Sequence, residues 1–111
     1  MAIKPDYSIG SHVAPLGLLK SDSNALPANY QGGAFISEHG SWDRSPLSGY
    51  QLFVAFKDGK PAGLPEAIVT GFYSKDESQL YGAPGGLAQD KDGALLIADD
   101  VGNAIWRVTK I

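Results

Sequence analysis

The sequence predicts an all-β chain of repeated antiparallel meanders, on three observations. Glycine (14) and proline (7) are plentiful among 111 residues, while 43% of the chain is hydrophobic. That combination describes many turns around a folded core rather than a disordered tract. No long stretch carries an apolar 3.6-residue period, so helix is nearly absent from the reading. The second half also repeats the first. Ala14-Pro15-Leu16-Gly17-Leu18 returns as Ala83-Pro84-Gly85-Gly86-Leu87, Gly33-Ala34-Phe35-Ile36 as Gly93-Ala94-Leu95-Leu96, and Tyr50 to Val54 as Ala104 to Val108. Meanders repeated every ~40–50 residues are the sequence form of propeller blades.

Taken in order, Leu16 to Leu19 is the first strand, followed by a polar connection from Lys20 to Gln31. Gly33 opens a second strand over Ala34 to His39, and a loop from Gly40 to Gly49 leads to the clearest strand, Tyr50 to Phe56. Lys57-Asp58-Gly59-Lys60 is a turn, because Gly59 can take the positive φ a hairpin requires. A weaker strand, Ala67 to Phe72, follows Pro61 and Pro65. The second unit has short connections at Asp90-Lys91-Asp92-Gly93 and Val101-Gly102-Asn103 and stops after its third strand. The expected organisation is one unit of two blades: 13–72 the first, 83–111 the second, and 3–9 a closing outer strand. Two blades do not make a ring, and an isolated pair would expose apolar faces, so self-association is expected.

A formal charge of −3 gives no electrostatic grip on nucleic acid or on an anionic membrane. The absence of cysteine excludes a disulfide scaffold, a thiolate zinc site and a cysteine nucleophile. No apolar run approaches a membrane span, and Met1-Ala2-Ile3-Lys4-Pro5-Asp6 lacks the apolar core of a signal peptide. The reading is therefore a soluble chain of unassigned compartment.

Several motifs in order resemble a known family. They are Ala14 to Leu18, the run Gly33-Ala34-Phe35-Ile36-Ser37-Glu38-His39-Gly40-Ser41-Trp42-Asp43-Arg44-Ser45, Gly49-Tyr50 with Phe56 to Pro61, and Asp90 to Asp100 continuing to Trp106-Arg107-Val108. Together they resemble the C-terminal part of the pyrroloquinoline quinone (PQQ)-dependent sugar dehydrogenases, closest to the sorbosone dehydrogenase branch. The resemblance implies a six-bladed β-propeller with quinone and sugar near its axis, of which this chain looks like the last two blades. A homotrimer would then supply six. The family's general-base histidine and most of its quinone-binding positions have no counterpart here, so the resemblance does not carry the activity over. Such enzymes are often periplasmic.

Blade topology sorts the loops onto two rims. His12, the Gly40 to Gly49 loop, the Tyr73 to Pro84 segment and Asp99 to Asn103 fall on one; Lys20 to Gln31, Lys57 to Glu66 and Lys91 to Gly93 fall on the other. Family analogy makes the first rim the ligand side. There Trp42 and Arg44, beside His39, offer an indole and a guanidinium able to stack on and clamp a planar anion. The competing reading has Trp42 packing its loop and Arg44 pairing a carboxylate. His12 and His39 are the candidate general bases. Asp99 and Asp100 either bind sugar hydroxyls or a cation, or accept bonds from loop amides. Asp90 to Gly93 lacks the further oxygen ligands of a calcium loop and reads as a turn, so no metal site is expected. Trp106 reads as core between blades and Arg107 as one half of an ion pair.

Three functions follow. The first is a self-assembled ring holding a small polar ligand, a sugar or a quinone, on its axis, with no activity of its own. The second is an oligomeric PQQ-dependent sugar dehydrogenase, and the third a structural remnant.

Overall fold

The computed structural model describes residues 3–5, 7–9, 14–21, 25–40, 50–72 and 81–110. Among the described residues, seven strands form two antiparallel sheets. The first sheet has the order β1 (Pro15–Lys20), β2 (Ala34–Glu38), β3 (Gln51–Lys57), β4 (Lys60–Val69); the second has β5 (Pro84–Gln89), β6 (Leu95–Asp99), β7 (Ala104–Val108). Neighbours in the chain are neighbours in the sheet, which is a meander. A single 3-10 turn, Ala28–Tyr30, is the only helical element among the described residues, so the all-β reading holds.

The strands form where alternation and turn chemistry dictate. The β3–β4 hairpin closes at Asp58-Gly59, with Gly59 at φ 78° as the turn requires. β4 starts directly after it, whereas the sequence reading placed the strand from Ala67 onward. Pro61 and Pro65 obscured it, and both are tolerated because β4 is an edge strand with register shifts against β3. Asp90 makes the other predicted turn: its Oδ1 accepts from the Asp92 and Ala94 amides, both 2.9 Å, with Gly93 at φ 87°. Arg107 forms the expected ion pair, its Nε 2.7 Å from Asp90 Oδ2.

The core lies between the sheets. Phe35 and Phe53 from the first sheet meet Leu95 and Ile97 from β6, with Leu26 beside them and Leu87, Leu19 and Tyr30 packed around. Phe53 takes the Tyr30 ring edge-on at 5.1 Å and Phe35 at 5.4 Å, separations at which aromatic pairs attract. The inner strands β1 and β5 approach so closely that a Cβ on Gly17 would collide with the Gly85 carbonyl oxygen and the Leu87 side chain.

The sheets stack front to back. Pairing sets Leu18 opposite Ile36 in the first sheet and Leu87 opposite Ile97 in the second, and the repeat equates Leu18 with Leu87. Ile97 is fully buried against the first sheet, whereas Leu18 is 74% exposed on the far side of that sheet. Equivalent positions therefore point the same way, and each sheet offers a different face to its neighbour.

The segment 3–9 was expected as a strand beside β7. Its described residues pair with no strand. The Tyr7 hydroxyl donates to the Gly63 carbonyl of β4 at 2.8 Å, and Tyr7 and Ile9 line a cavity with Pro15, Leu16, Leu18 and Ile36 on the outer face of the first sheet. That puts the whole first sheet between this segment and β7 of the same chain.

Candidate functional site

Both inner strands are irregular at the same place. β1 shifts register between Pro15 and Gly17 against β2, and β5 between Pro84 and Leu87 against β6. These bulges correspond to the repeated Ala-Pro-x-Gly-Leu motif, and they bend each strand at one end of its sheet. At that end β2 finishes at Glu38 and β6 at Asp99. Pro15 pairs with Glu38 and Pro84 with Asp99, so the two repeats set a buried acid at the same register position. His39 and Asp100, the next residues, are therefore equivalent too.

They meet. His39 Nε2 donates to Asp100 Oδ1 at 2.8 Å, joining the two sheets across the rim, and the His39 amide donates to the Ala14 carbonyl at 3.0 Å. The imidazole is 29% exposed and the carboxylate 72%. The hydrogen bond from His39 holds the Asp100 carboxyl below its usual range. Beside the pair opens a cavity of about 390 Å³ lined by Leu16, His39, Gly85, Gly86, Ala98 and Asp100. A second depression, about 330 Å³, continues over Asp100, Asn103 and Ile105.

Asp99 has a different task. It is 4% exposed; Oδ1 accepts from the Ala83 amide at 2.9 Å and the Gly102 amide at 2.7 Å, and Oδ2 from the Trp106 indole at 3.0 Å. Burial raises the carboxyl's affinity for its proton, but the indole and amide donors outweigh burial and hold it below the usual range. One side chain thus fastens the entry to β5, the turn after β6 and the middle of β7. Trp106, expected in the core, is instead half-exposed. It holds Asp99 and lines a cavity of about 230 Å³ with Phe72, Tyr81 and Val69.

Of the expected site residues, the structure brings His39 and Asp100 together and spends the Asp99 oxygens on its own chain. His12, Trp42 and Arg44 lie outside the described residues. Sequence reasoning did not single out Glu38, nor the bulges at Leu16 and Gly85-Gly86 as cavity walls. The signal was the repeat itself: aligning the second strands by Gly33 and Gly93 is one residue out of step with the observed pairing, and the shift hid the Glu38–Asp99 and His39–Asp100 equivalences. Among the described residues no group of three or more His, Cys, Asp or Glu side chains could hold a metal. No helix there is long and apolar enough to cross a membrane.

The fold and rim define an all-β unit of two stacked meanders joined at one end by an imidazole–carboxylate pair. The chain matches the family model described as TrAA12-like over residues 1–111 and belongs to that family. It is 38% identical over 104 residues to an uncharacterized protein of Borreliella burgdorferi (strain ATCC 35210 / DSM 4680 / CIP 102532 / B31). That alignment covers 92% of this chain and 27% of the relative, so the chain spans about a quarter of the protein it matches. No solved structure matches. These findings correct the resemblance drawn from the sequence. The family is the TrAA12-like one, and neither comparison points to the PQQ-dependent sugar dehydrogenases. Where those motifs fall on described residues, they occupy turn, bulge and rim positions of the repeated meander.

Proposed function

We propose that this chain is a binding module for a small polyhydroxylated ligand such as a sugar, held at the rim where His39 meets Asp100. The two sheets act in this reading as propeller-type blades, and copies of the chain complete a ring around the site. The observation that carries it is the His39–Asp100 hydrogen bond at the mouth of an open cavity joining both sheets. A carboxylate accepts from hydroxyls, and a neutral imidazole that donates through Nε2 still accepts through Nδ1. Vicinal hydroxyls, each both donor and acceptor, match that pair, and the small Gly85-Gly86 wall lets a ring approach the backbone. Propellers have about four to eight blades, and three copies of this chain give six.

Thermal unfolding with a panel of aldoses and polyols tests the site. A ligand bound only by the folded chain, at ~100 times its Kd, adds about 2.7 kcal/mol of stability and raises Tm by several degrees. We expect such a shift for the wild type and its loss in His39→Ala and Asp100→Asn. No shift with any sugar, or an equal shift in both variants, would overturn the assignment and leave a structural role.

A further inference from the structure

We infer that the cleft between the end of β4 and strand β7, walled by Phe72, Tyr81 and Trp106 beside the Asp99 carboxylate, binds a small quaternary ammonium cation. It shares no lining residue with the cavity at His39, and the inference depends neither on a sugar nor on assembly.

The cleft is built inside one chain. Trp106 pairs with Ile97, so it shares the face of the second sheet that meets the first. Val69 ends β4 and Phe72 follows it, which supplies the opposite wall. The Phe72 carbonyl accepts from the Tyr81 and Gly82 amides, at 2.7 and 3.0 Å, and so sets Tyr81 beside Phe72. The three aromatic residues line one space of about 230 Å³. Pockets for drug-sized ligands begin at roughly 300 Å³, so this one suits a small head group.

Charge names the ligand. Asp99 lines the same space while nearly excluded from water. Its donors are neutral, backbone amides and the Trp106 indole, and they hold it ionised against the effect of burial. Among the described residues no cation pairs with it, although buried charges are ordinarily paired. Its hydrogen-bonding capacity is nevertheless largely used, and the Phe72 carbonyl already has two donors. A primary ammonium brings three N–H groups that need acceptors, whereas a fully methylated one brings none. Negative charge and aromatic walls with few free acceptors therefore favour the methylated cation. Tryptophan and tyrosine attract such cations through their rings. The bond from the Trp106 N–H to a carboxylate adds to this by enriching the indole in electron density.

Choline chloride is the probe, added to the full chain and read by indole fluorescence and thermal unfolding. The expected result is a saturable fluorescence change with a raised Tm, absent with ammonium chloride at the same ionic strength. Neohexyl alcohol, which is choline with a neutral carbon in place of its nitrogen, should bind at least ~10-fold more weakly. Tyr81→Ala, at an exposed position, should weaken choline binding roughly 2- to 30-fold. In Trp106→Phe the fluorescence change should vanish. No response to choline, an equal response to the alcohol or to ammonium, or unchanged affinity in Tyr81→Ala would overturn the inference. So would a fluorescence change that persists in Trp106→Phe. Phosphatidylcholine vesicles separate the two sources of the cation: co-sedimentation makes it a lipid headgroup, and choline binding without co-sedimentation makes it a free solute.

Discussion

Asp99 shows how one side chain holds the rim. Its carboxylate accepts three hydrogen bonds, from two backbone amides and an indole, while nearly excluded from water. Such bonds to a charged acceptor are stronger than neutral ones, and a buried donor left without its acceptor costs about 1–3 kcal/mol. Asp99→Asn keeps one oxygen for the amides but turns an amide NH2 toward the Trp106 N–H. We expect a loss of about 1–3 kcal/mol in urea denaturation, together with a change in Trp106 fluorescence. The same residue gives a sign for pH. The Asp99 carboxyl is held below its ordinary 3.8 in the folded chain. As pH falls, the unfolded chain takes up this proton first. Stability from Asp99 is therefore complete above about pH 5 and drains away as pH drops toward and through the folded value. Asp90, bonded by Arg107, and Asp100, bonded by His39, shift the same way. Stability measured from pH 5 to 2.5 should fall in the wild type and fall less steeply in Asp99→Asn; parallel slopes would remove Asp99 as a source of the acid sensitivity.

At the scale of elements, the decisive contact is β1 against β5. Gly17 stands where a side chain would strike the Gly85 carbonyl and Leu87, whereas a Cβ on Gly86 would meet nothing. Gly17→Ala should therefore push the sheets apart and cost about 1–3 kcal/mol by overpacking, while Gly86→Ala should stay near wild type. Comparing denaturation midpoints of the pair tests this, and equal midpoints would show that the close approach does not matter. The same strands show what the sequence could reveal. Most strands were legible from alternation and turn residues, and β7 was placed at its observed ends, Ala104 to Val108. The bulges were not, because a bulge leaves the residue pattern of a strand intact and changes only what faces what. Trp106 was misplaced for a related reason. Alternation gives the face of a side chain, and Trp106 lies on an outlying strand, where Asp99 holds its indole at half exposure. His39 and Asp100 were each legible as rim residues. Their meeting depends on the sheet-to-sheet distance, which no local pattern encodes.

For the whole molecule, the consequence lies in the direction of stacking. A sandwich of two sheets facing each other would bury equivalent residues on both and be closed. Here Ile97 is buried and its counterpart Ile36 lines an open cavity, so the front of one sheet meets the back of the next. In the ring proposed above, copies of the chain meet by the same front-to-back contact, which is heterologous and either closes into a ring or continues as a filament. One face carries Leu16 and Leu18, the other Ile105. Leu18→Glu tests which outcome holds. Leu18 is 74% exposed in the single chain, so the substitution should change the stability of the isolated unit by less than about 0.5 kcal/mol. In an assembly it would bury an unpaired charge against a second sheet, a cost of several kcal/mol. If the proposed ring of three copies forms, the expected result is about 35 kDa for the wild type, three times the monomer mass, and a folded monomer of 11.7 kDa for the variant. A wild type of unlimited size would mean a filament, and unchanged masses in both would mean that copies do not meet through this face.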